Sequence, residues 1–205
     1  LSIVMPLEGD SITLTLSSGT YSGRTGSRPD GEIYPISLIK NVQIIGSGSG
    51  INNEGRDESI LDAGEGSRVI ECNVPMDPTF TALSQIKLTN GDNRMGGGLF
   101  LSNCSPRLED VNIHFNSSFD FEDPLYSRTF EGKGGGIYMD NSSPKLVSVQ
   151  IDSNYAGSKG SGIYSINNSN PEIIGGNISN NGENPDRIGE ITSEGGGIYA
   201  SGSSP

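Results

Sequence analysis

The chain has 205 residues, with 25 acidic side chains against 13 basic ones, one histidine and a formal net charge of −12. That charge disfavours nucleic acid and anionic membrane surfaces as partners. No apolar run approaches the roughly 18 residues of a membrane-spanning helix. Low hydrophobic content (32%) with 30 glycines would suit a disordered chain, but the glycines fall in an ordered repeat.

In chain order, the first strand signals are DSITLTLSSGTYSG from Asp10 and NVQIIGSG from Asn41, the latter with Val42 and Ile44 pointing inward and Ile39 ahead of them. SILDAGEGSRVIEC follows, with short strands around Ile60 and Leu61 and around Val69 and Ile70. In QIKLTNG, Ile86 and Leu88 take the inward places, with Leu83 three residues earlier. From Gly96 the pattern sharpens into four blocks: GGGLFLSNCSP, GGGIYMDNSSP from Gly134, GSGIYSINNSNP from Gly160 and GGGIYASGSSP from Gly195. After the prolines, apolar residues recur two, five and seven positions on: Leu108, Val111 and Ile113, then Leu146, Val149 and Ile151, then Ile173, Gly176 and Ile178. Ten positions on stands Asn116, Asn154 or Asn181. Positions five and seven have the period of a strand with one face inward, and Gly and Asn are too frequent for helix.

Self-similarity of this kind predicts a stack in which each unit buries its apolar face only against its neighbours. The fold class expected is all-β, a right-handed parallel β-helix (β-solenoid) of about five coils and the opening of a sixth. At a strand spacing of ~4.8 Å that makes a rod roughly 25 Å long. It is one continuous solenoid, with irregular coils over 1–95 and regular GGGIY-type coils over 96–205.

The order of these motifs resembles the right-handed parallel β-helix of the pectate-lyase-like superfamily, in particular its surface-protein repeat modules. The GGGIY blocks with a following Asn resemble, more loosely, the repeats of polymorphic outer-membrane adhesins. The resemblance covers nearly all of the chain and implies the fold; that superfamily holds lyases, hydrolases, epimerases, tailspikes and adhesins, so function must be argued from the site. By the same resemblance, the opening LSIVMPLEGD reads as the tail of a capping segment. The final GGGIYASGSSP begins a coil without finishing it, so a longer solenoid is expected.

Cys104 precedes Pro106 by two residues, and Cys72 follows the Val69 and Ile70 strand one coil earlier. Equivalent places on adjacent coils lie ~5 Å apart, within disulfide range; a disulfide and two buried thiols both remain open. Asn116, Asn154 and Asn181 are expected to hydrogen-bond along the axis as a ladder. Five Asn-x-Ser sequons, at Asn103, Asn116, Asn141, Asn167 and Asn177, read as by-products of Asn- and Ser-rich turns. His114, the one histidine, reads as an exposed sheet residue.

The inserts between turn asparagine and next Gly block are long, short and long: 117–133, 155–159 and 182–194. They leave the same turn, which predicts a saddle with Tyr155, Ser158 and Lys159 as its floor. One wall carries Phe119, Phe121, Tyr126 and Phe130. Aromatic faces beside carboxylates and a basic group suit sugar binding; the same aromatics would equally serve to cover the flank. Candidate ligand-binding residues are thus Phe119, Phe121, Tyr126, Phe130, Tyr155 and Lys159.

Hydrolase, Trp-containing pectate-lyase and calcium-nonapeptide signatures are missing. The leading expectation is an extracellular or cell-surface structural or adhesin-type segment. Its partners would be glycans or matrix components, with no catalytic residue and no obligate cofactor. The alternative is a polysaccharide lyase or epimerase with Lys159 or Arg128 as base and Asp120, Glu122 and Asp123 holding Ca²⁺. The acidic group Asp186, Glu190 and Glu194 is a second weak Ca²⁺ candidate. A third reading is a filament or sheath subunit associating end to end.

Overall fold

The computed structural model describes residues 11–23, 31–51, 57–64, 66–75, 81–123, 128–184 and 194–205. Among these it is all-β without a helix, and the strand pairings are parallel except for one antiparallel hairpin. Two sheets dominate, one of ten strands and one of six.

The chain passes from one sheet to the other in each repeat. The small sheet takes Ile36–Ser37, Ile70–Cys72, Leu99–Ser102, Ile137–Asp140, Ile163–Ile166 and Ile198–Ser201 in that spatial order. The large sheet takes Ala82–Thr89, then Arg107–His114, then the pair Lys145–Val147 and Gln150–Asp152, then Glu172–Ile174 and Asn177–Ser179. Register is constant from repeat to repeat. Leu83, Leu108, Leu146 and Ile173 align, as do Leu88, Ile113, Ile151 and Ile178. Across the core, Ile70, Leu99, Ile137, Ile163 and Ile198 align on the small sheet. These rows form one hydrophobic core, in which most members from Val69 to Ile163 are fully buried, whereas Ile173 and Ile198 in the last repeat are exposed.

Backbone conformation explains the two-five-seven spacing. Gln85, Asp110 and Ser148 sit in the left-handed region (φ 53°, 52° and 51°) partway along their segments. The kink resets the alternation, so Leu108 and Val111 both point inward although three residues apart. The Gly blocks have a different cause. Gly160 is left-handed (φ 63°), where glycine carries no steric cost. A Cβ on Gly135 would run into the Tyr155 carbonyl, so the middle glycine of GGG is required by close backbone approach.

Upstream, the register differs from the sequence expectation. Ile44 pairs with Leu83, not with the Leu88 row; that row is extended upstream by Leu61 and then Tyr21. An apolar pair at i and i+2 fits either half of the large sheet, and the long insert between Ile45 and Ser59 hides which half is meant. Ile39 is partly buried against the core, as Val42 and Ile44 are within it.

Polar side chains tie successive repeats together. Asn154 Oδ1 accepts from the Asn116 backbone N–H and from Asn116 Nδ2, both at 3.0 Å. Asn181 Oδ1 accepts the same two bonds from Asn154, at 2.9 and 3.0 Å. A second staple joins the Ser-Pro turns: the Cys104 N–H donates to Ser142 Oγ and the Ser142 N–H to Ser169 Oγ, each at 3.0 Å. Cys72 and Cys104 form a disulfide with a Cα–Cα separation of 5.9 Å. Cys72 is level with Leu101, so Cys104 lies three residues further along its own repeat, rather than at the equivalent position.

Candidate functional site

The segment 91–95, which follows Ala82–Thr89, is fixed as backbone before its side chains do anything. The Gly91 N–H donates to Asn116 Oδ1 (2.9 Å), the Asn93 N–H to the Ser117 carbonyl (3.2 Å), and the Lys133 N–H to the Arg94 carbonyl (3.0 Å). This shelf presents Asp92, Asn93, Arg94 and Met95. Opposite it stands the antiparallel hairpin Phe121–Asp123 with Arg128–Phe130, where Phe121 faces Phe130 at a ring separation of 6.2 Å. Asp120 closes the hairpin's base through Oδ1, which accepts from the Gly132 N–H at 2.6 Å.

Between shelf and hairpin lies an open cleft of about 520 Å³, lined by the four shelf residues, Phe119, Asp120, Phe121 and Arg68. Both arginines rest on aromatic rings. The Arg68 guanidinium is 4.4 Å from the Phe100 centroid, and that of Arg94 is 4.8 Å from the Phe130 centroid. Arg68 also donates to Asn93 Oδ1 (2.7 Å) and lies 3.6 Å from Glu71. Burial lowers its pKa from the ordinary value, against the pull of Glu71. Ring stacking and one fixed hydrogen bond hold the guanidinium plane in place. Phe121, 56% exposed, adds a free apolar surface. The cleft therefore combines planar donors, a carboxylate and an aromatic face.

Several sequence candidates fall elsewhere. Tyr155 is only 3% exposed and packs against Phe119 at 5.4 Å, so it supports the site from beneath instead of forming a floor. Ser158 is also buried. Lys159 stands outside the cleft, 3.3 Å from Glu194 and 5.0 Å from the Tyr199 ring centroid. The hydrogen bond to Glu194 raises its pKa, the wrong direction for a general base. Asp120 spends one oxygen on Gly132. For Glu122, Asp123 and Arg128 the backbone is described but not the side chain, and Tyr126 lies outside the described residues. So does most of the second wall, 185–193, with Asp186 and Glu190. Among the described residues no three His, Cys, Asp or Glu side chains gather as a metal-ligand set.

Two features escaped the sequence reading. Arg68 and Arg94 belong to no repeated motif, and only folding brings them to one cleft. The second is a stack of rings, Phe100, Tyr138, Tyr164 and Tyr199, spaced 5.1–5.3 Å. Its signal was present in the constant aromatic of each GGGLF or GGGIY block. Lys133 and Lys159 flank the stack over Tyr164 and Tyr199. Tyr138, 7% exposed, has its pKa pushed up to about 12, chiefly by burial. Stacked rings cover one another's faces, so this row stabilises the sheet and offers no sugar platform.

The chain matches no protein-family model, and comparison with curated proteins and with solved structures returns no match.

Proposed function

We propose that the chain is a segment of a right-handed parallel β-helix of the pectate-lyase-like kind, acting outside the cell or at its surface as a structural or adhesin-type rod that binds glycans through loops on one side. The constant register across both sheets, the asparagine ladder and the serine staples support the solenoid reading. The observation that carries the binding reading is the cleft, in which Arg68 and Arg94 are seated over Phe100 and Phe130 beside the exposed Phe121. Fixed guanidinium donors hydrogen-bond hydroxyl or acidic oxygens, and an exposed ring takes the C–H face of a sugar. A lyase reading would use Lys159 or Arg128 as its base, and at Lys159 the ammonium is held charged by Glu194.

The test is a glycan array followed by calorimetry on the intact chain. Replacing either Arg94 with Ala or Phe121 with Ala is expected to weaken binding by about tenfold or more, with an unchanged far-ultraviolet spectrum. Affinity unaltered in both variants contradicts the cleft as the binding site.

A further inference from the structure

We infer that the chain holds a second saccharide position, separate from the cleft, at the end of the strand Arg107–His114, where Phe115 and His114 together receive one neutral sugar unit. Two features of the molecule that folding does not require meet there.

The first is a residue in the wrong company. Four successive repeats turn the same corner on one left-handed residue: Asn90, Phe115, Ser153 and Asn180, with φ between 51° and 53°. Asparagine tolerates that conformation, whereas a bulky side chain there is an outlier. Phe115 gains no burial in return, since it is 57% exposed. Backbone preference and hydrophobicity both oppose it, and residues held against local preference cluster at functional sites.

The second is the neighbour it touches. The Phe115 ring lies 3.8 Å, centroid to centroid, from the ring of His114, the chain's one histidine. His114 Nδ1 is 3.1 Å from Asp152 Oδ2. Asp152 is in turn fixed by Ser153 Oγ (3.1 Å), Ser179 Oγ (3.1 Å) and Asn180 Nδ2 (2.9 Å). An imidazole anchored through one nitrogen is oriented, with Nε2 as the nitrogen for an outside partner.

A flat ring beside one oriented hydrogen-bonding nitrogen suits one pyranose. Its C–H face lies on Phe115, and one hydroxyl pairs with His114 Nε2. Local charge selects a neutral sugar. The cation on the adjoining strand, Lys87, lies 3.7 Å from Glu58, and Asp152 faces the site as an anion, its pKa lowered by hydrogen bonds from Asn180, Ser179 and Ser153 that outweigh the effect of burial. A uronate or sulfate would meet that carboxylate without a free counter-charge.

A single histidine makes the test direct, because its ring C–H signals in an NMR spectrum report this place alone. The intact chain is titrated with mannohexaose, cellohexaose and maltohexaose. The expected result is a saturable shift of the His114 signals with at least one of them. Phe115→Asn, which installs the residue used at Asn90 and Asn180, is expected to weaken that shift's apparent affinity by about tenfold or more and to raise the melting temperature. Arg94→Ala is expected to leave the His114 titration unchanged, so a failure here and a failure of the cleft reading are separable. No shift with any of the three up to ~10 mM overturns the proposal. So does an unchanged titration in Phe115→Asn, or a lower melting temperature, which would make the ring structural.

Discussion

Asn154 has no exposure and its side chain makes four hydrogen bonds: two received from Asn116, and two donated to the Ile113 carbonyl and Asn181 Oδ1. Replacing it with alanine strands the Asn116 N–H and removes a donor from the Ile113 carbonyl in a site that water does not reach, while Asn116 Nδ2 keeps the Leu88 and His114 carbonyls and Asn181 Oδ1 keeps the backbone N–H of residue 154. Each orphaned buried group costs about 1–3 kcal/mol, so Asn154→Ala is expected to destabilise the chain by about 2–4 kcal/mol. That lowers the melting temperature by roughly 10 °C for a chain of this size, readable by calorimetry. The same change at the exposed turn residue Asn141, whose amide donates to Asn103 Oδ1, should cost far less. The ladder was legible because a polar residue recurring ten positions after each proline must meet its own copies once the repeats stack. The roles of Arg68 and Arg94 were not. Neither recurs, and their ring partners, Phe100 and Phe130, are 32 and 36 residues distant in sequence.

Strands and turns divide in the same way. The regular blocks after Gly96 revealed their inward rows because three copies could be laid over one another. Upstream, with one copy of each motif and inserts of unequal length, the inward places of Val42 and Ile44 were legible, but not the alignment of Ile44 with Leu83. The Phe121–Asp123 and Arg128–Phe130 hairpin was also hidden, since its antiparallel pairing breaks the parallel rule of its surroundings and is short. Near the boundary between irregular and regular repeats sits the disulfide, Cys72 to Cys104, closing a sequence separation of 32. Both cysteines are 1% exposed. By the chain-entropy argument a loop of that length stabilises the fold by about 3–4 kcal/mol. Urea unfolding under reducing conditions is expected to show a loss of that size; a midpoint unmoved by reductant contradicts the role assigned to the bridge.

At the level of the molecule, a net charge of −12 sits alongside a cleft with two ring-stacked arginines. Among the described residues most cations are paired, as in Lys133 with Glu131, Lys145 with Glu172 and Lys159 with Glu194. Arg68 and Arg94 both rest on aromatic rings at the cleft. Of the two bases a lyase would use, Lys159 is held charged by Glu194 and the side chain of Arg128 is not described. The decisive measurement is to incubate the chain with each saccharide it binds, with and without Ca²⁺, and follow absorbance at about 235 nm, where unsaturated uronates absorb. Saturable binding with flat absorbance is the result expected of a glycan-binding surface rod. Absorbance that rises with time and with protein concentration would contradict it and make the chain a lyase.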